Sequence, residues 1–122
     1  AMGPEREVGG FRDFSRAMIA LYVGGMGARD RNFYNQLFQR YGYEAEAKQI
    51  QDLYLDGKKA EAAQAVPASF LEETSLCGDE AYLKDRIEQF KASGVTILNV
   101  TPIASDLAGQ QQLIWKVKEL AS

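Results

Sequence analysis

Residues 75–100 read SLCGDEAYLKDRIEQFKASGVTILNV, and the fold turns on how that run divides. Leu76 and Cys77 make a short apolar stretch that Gly78 breaks. Asp79 stands where a carboxylate can accept from the first free N–H groups of a helix. Leu83, Ile87 and Phe90 recur at helical spacing, while Lys84, Asp85, Glu88 and Lys91 take the other faces. Glu80 precedes Lys84 by about one turn, the favourable order for an ion pair. Gly94 suits the left-handed position just past a helix, and Val95-Thr-Ile-Leu-Asn-Val is β-branched and uncharged. An apolar strand after such a helix predicts a parallel strand covered on both faces. The run therefore predicts a right-handed β-α-β unit.

Downstream, Thr101-Pro102 marks the strand exit, because proline has no N–H for a ladder. Ser105 or Asp106 then caps a closing helix with Leu107, Ile114, Val117 and Ala121 on one face. Upstream the chain reads as helix throughout. Residues 1–10, with three glycines and a proline, predict a flexible lead-in or an expression remnant. A helix is predicted from Phe11 to Val23, with Phe11, Phe14, Met18, Leu21 and Tyr22 on one face. Gly24-Gly25-Met26-Gly27 should end it, since glycine is unfavourable inside a helix. A second helix follows from about Asn32 to Tyr41, with Asp30 as its cap and Gly42 as its stop. A third, residues 44–55, buries Ala47, Ile50 and Tyr54 and stops at Asp56-Gly57. A short alanine-rich helix over 58–65 precedes Val66-Pro67, and Pro67 opens a last turn that points Phe70 and Leu71 inward. The organisation expected is one domain over 11–122, with a helical segment at 11–73 and a β-α-β-α segment at 74–122.

Composition narrows the function. At 122 residues and 46% hydrophobic content the chain can build a core, and its net charge of −3 comes from 14 basic and 17 acidic residues without a basic stripe. That balance predicts no nucleic-acid partner. No apolar run approaches the roughly 20 residues of a membrane span. Cys77 is the single cysteine, which makes a reducing cytoplasm the simplest location. The chain has no histidine, so it cannot by itself assemble a Ser-His-Asp or Cys-His site or the usual zinc set.

Two parallel strands leave both sheet edges open. Further strands come either from partner chains or from the rest of a larger α/β protein, and the second is expected. The fold class is then α/β and helix-rich, in which one β-α-β unit and a closing helix look like the last two β-α units of a barrel. Leu21-Tyr-Val-Gly-Gly-Met-Gly-Ala-Arg-Asp-Arg-Asn-Phe-Tyr-Asn resembles the luciferase-like flavin and deazaflavin monooxygenases and reductases, most closely their coenzyme F420-dependent oxidoreductases. The likeness runs on through Arg40-Tyr-Gly-Tyr-Glu, Ile50-Gln-Asp-Leu-Tyr-Leu-Asp-Gly-Lys, Ala65-Val-Pro and Ser93-Gly-Val-Thr-Ile-Leu-Asn-Val, covering nearly all of residues 11–120. Members are (β/α)8 barrels, typically of about 250 residues. The resemblance thus implies the C-terminal part of such a (β/α)8 TIM barrel, with a helical insertion, one β-α-β unit and a closing helix. It further implies hydride transfer between coenzyme F420, with flavin mononucleotide (FMN) as the alternative, and a small organic substrate. The catalytic residues would lie in the N-terminal half, and neither cofactor is expected to bind this portion alone.

The cofactor-binding candidates are Gly24, Gly25, Met26, Gly27 and Arg29. The glycines could let backbone approach a cofactor closely, with Met26 as a soft wall. Arg29 and Arg31 could meet its acidic tail through forked hydrogen bonds. The plainer readings are a chain reversal and a solvated helix start. Phe33 and Tyr34 are core by periodicity, although the resemblance would place them, with Asn32, at a barrel mouth. Gly78-Asp79 opens a helix, but Asp79 and Glu80 already put two carboxylates where an anion would bind. Cys77 reads as a buried strand residue, Trp115 as a core or interface residue, and no metal site is expected. The competing reading is a non-catalytic helical module that dimerises through Phe33, Phe38, Tyr41 and Tyr54. In either case the open edge at 95–100 and the apolar helix faces predict a homo-oligomer.

Overall fold

The computed structural model describes residues 2, 3 and 5–122, with Glu5 and Arg6 described in backbone only. Helices follow in the order α1 (Glu5–Phe14), α2 (Arg16–Ala20), a π-helical turn (Leu21–Gly25), α3 (Phe33–Arg40) and α4 (Glu44–Leu55). They continue with α5 (Lys59–Gln64), α6 (Ala68–Thr74), α7 (Glu80–Ala92) and α8 (Leu107–Leu120). The chain divides into two compact units, Asp13–Thr74 and the described residues through Arg12 with Ser75–Ser122.

The unit Asp13–Thr74 is held by Ala20, Val23, Phe38, Ala47, Ile50, Ala62, Val66 and Leu71. Three of these are alanines, which let helix backbones approach closely. The central helix, α4, carries Glu44 and Glu46 in its first turn, where the helix dipole favours acids. It stops at Gly57, whose φ of +82° few other residues adopt. Its bounds are those the sequence predicts.

The first helix differs from its expected form. Residues 5–10 are helical, with Val8 buried, so the lead-in expected over 1–10 is confined at most to the residues before Glu5; Ala1 and Pro4 lie outside the described residues. The helix breaks at Ser15, and the wide turn then carries Gly24 and Gly25 rather than stopping before them. The expected inward face is turned outward: Phe14 is 81% exposed, and Phe11, Met18 and Leu21 are exposed too. Periodicity identifies an apolar stripe but not whether the chain supplies anything to cover it.

In the other unit, the Asp79 carboxylate accepts from the Tyr82 N–H at 2.8 Å and caps α7 as predicted. Past its end Gly94 has φ +91°; its N–H reaches the Lys91 carbonyl at 3.0 Å and that of Val95 reaches Phe90 at 3.1 Å. This is a Schellman closure, with the paired apolar residues Phe90 and Val95 beside it. Asp106 caps α8 by accepting from the Gly109 N–H at 2.7 Å. Leu83, Ile87 and Leu120 form a small core that Met2, Leu76, Tyr82 and Val117 border. Glu80 pairs across to Lys116 at 2.9 Å, whereas the sequence suggests Lys84.

The β-α-β unit is not formed within this chain. Among the described residues there is no strand, only a single parallel bridge between Met2 and Gly78. The bridge falls at Gly78, just past the Leu76-Cys77 stretch, with Gly3 N–H donating to the Gly78 carbonyl at 2.9 Å. Residues 95–100 are exposed and without a ladder, Ile97 at 78%. A strand needs a partner backbone, and β-branched composition alone does not provide one.

Candidate functional site

The turn Leu21–Gly25 is π-helical. Wide π turns are uncommon and concentrate at functional positions. Two asparagines hold its carbonyls. Asn32 Nδ2 donates to Tyr22 and Val23 carbonyls at 3.0 and 3.1 Å, and Asn35 Nδ2 donates to Val23 at 3.0 Å and to Ala47 at 2.9 Å. Asn32 Oδ1 accepts from the Asn35 N–H at 3.0 Å and so caps α3, the role that the sequence suggests for Asp30. Gln39 Nε2 completes the set by donating to Asn35 Oδ1 at 2.8 Å. The two asparagines are 1% and 3% exposed, so these bonds lie inside the core, where an unmet amide would be costly. The sequence reading missed Asn35. The available signal was a second asparagine one turn after Asn32, on the side of the helix that carries Phe38.

The glycines are required by close contacts within the chain. A Cβ on Gly24 would lie 2.5 Å from Tyr54 Cβ, and one on Gly25 would lie 2.4 Å from Tyr54 Cε1. At Gly27 it would meet the Arg31 carbonyl oxygen at 2.6 Å, on backbone with φ +156°. The space that a cofactor ring would need beside Gly24 and Gly25 is filled by Tyr54. Met26 is exposed. Arg29 pairs with Asp52, which Lys48 also reaches at 2.6 Å. Hydrogen bonds from Lys48 and then Arg29 hold the Asp52 carboxyl below its ordinary pKa. The segment after the turn is thereby tied to α4. Arg31 is exposed.

Beside the turn lies an apolar hollow of ≈ 190 Å³, lined by Met18, Tyr22, Tyr34, Leu37, Phe38 and Phe70 among others. Tyr22 and Tyr34 meet edge to face at 4.7 Å between ring centroids. Phe33 is 62% exposed and Tyr34 is also exposed, so neither is the core residue that periodicity suggests, whereas Asn32, for which periodicity makes no such claim, is buried. Cys77 is buried as expected but not in a strand, and Trp115 is exposed. Among the described residues no group of three or more His, Cys, Asp or Glu side chains converges as a metal site. No helix among them is long and apolar enough to cross a membrane.

The π turn Leu21–Gly25, held by Asn32 and Asn35, thus borders an aromatic hollow. Residues 12–96 match the luciferase-like monooxygenase family, and the chain belongs to that family. Among curated proteins it is similar to the "Putative coenzyme F420-dependent oxidoreductase Rv3520c" of Mycobacterium tuberculosis (strain ATCC 25618 / H37Rv), with 33% identity over 86 residues. That match takes in 70% of this chain and 25% of the relative's length. No solved structure matches the chain.

Proposed function

We propose that this chain is the C-terminal portion of a coenzyme F420-dependent oxidoreductase built on a (β/α)8 barrel. The observation that carries the reading is the family match across the π turn, α3, α4 and α7, joined to the named function of the relative. Two features of the fold support it. Residues 95–100 have the composition of a barrel strand without its neighbours, and the apolar side chains at Phe11, Phe14 and Met18 face outward, as they would if a barrel wall covered them.

When bound, the deazaflavin supplies hydride to, or takes it from, a small organic substrate. The residues present do not by themselves cradle that group, since Tyr54 occupies the faces of Gly24 and Gly25. In this proposal Gly24, Gly25 and Gly27 set the shape of the turn, Asn32 and Asn35 hold it, and Met26 with Arg29 forms the outward rim toward the cofactor. Catalytic groups lie elsewhere in the barrel. The helical-module reading is weaker, because two of its four aromatics are used internally: Phe38 is buried and Tyr54 packs on the glycines.

The test is a fluorescence titration with coenzyme F420 and, in parallel, with FMN. It compares this chain with a protein that restores the rest of the relative's length. Saturable F420 binding by the longer protein, with little by this chain, is expected. Failure of the longer protein to bind either cofactor overturns the reading, and preference for FMN corrects the cofactor.

A further inference from the structure

We draw no further inference here: the strongest candidate, the apolar hollow of ≈ 190 Å³ that Met18, Tyr22, Tyr34 and Phe70 line beside the π turn, adjoins the outward apolar face that the proposed barrel would cover, and nothing in the structure shows what occupies it.

Discussion

Asn32 and Asn35 sit inside residues 13–74 with their amides bonded to carbonyls of the same unit, while residues 96–100 keep N–H and C=O groups that no described residue meets. Both regions are rich in apolar and β-branched or aromatic side chains. They differ in whether the partner is nearby in the chain. A helix satisfies its own backbone within four residues, so residues 13–74 need only side-chain donors at the one wide turn. A strand satisfies none of its backbone alone, so the same apolar content at 95–100 stays exposed.

The comparison predicts where substitutions act most strongly. The largest effect expected is from Asn35→Ala, which removes donors to Val23 and Ala47 and the acceptor for Gln39 in a buried place. A loss of about 3 kcal/mol is expected, from two to three net hydrogen bonds. Denaturant melts measure it, and an unchanged midpoint would break the view that the amide holds the turn.

Next comes Gly25→Ala, whose methyl group would have to displace the Tyr54 ring. Overpacking of this kind costs about 2 kcal/mol. Pairing it with Tyr54→Ala sharpens the test: the double variant should lose less than the sum of the two single ones, because each removes the other's conflict. Strict additivity would mean that the contact is not the reason for the glycine.

Gly94→Val reads the other region. Nothing lies within 4 Å of the added Cβ, so only the positive φ resists it, at about 1 kcal/mol. Lys91→Ala, one turn earlier on the exposed face, should cost less. Equal melting midpoints for Gly94→Val and Lys91→Ala would sink the left-handed assignment.

The smallest effects are electrostatic and separate the regions by pH. Asp52 has a lowered pKa, through hydrogen bonds from Lys48 and Arg29, so its contribution is present above the ordinary carboxylate value and fades as pH falls through the lower folded one. Lys116 has a raised pKa, chiefly through its bond to Glu80, so its contribution is present below the ordinary lysine value and fades as pH rises through the higher folded one. Both groups are solvated and the effects should be slight. Asp52→Asn should flatten the acid limb of a plot of melting temperature against pH and leave the alkaline limb in place. A change confined to the alkaline limb would contradict the assignment.

How much of this was legible in the sequence follows the same division. The bounds of α4, the Asp79 cap and the positive φ of Gly94 are local matters, and the sequence shows them. The family was legible too, because Gly24-Gly25-Met26-Gly27 and its neighbouring motifs keep their order. The reason for those glycines was not, since Tyr54 fills the space from another helix. Nor was the cap at Asn32, where burial chose an amide that could also reach the turn carbonyls over the nearby Asp30. The strand at 95–100 was predicted from composition, but its pairing depends on backbone that this chain does not bring to it.

Residue-resolved amide hydrogen exchange on dilute, monomeric protein tests the central contrast most directly. The account predicts slow exchange along α4 and at the Asn35 amide, and near-unprotected exchange from Thr96 to Val100. Protection of Thr96, Leu98 and Val100 comparable with that of α4 in the monomer would show that the segment has a strand partner within the chain, and would contradict it.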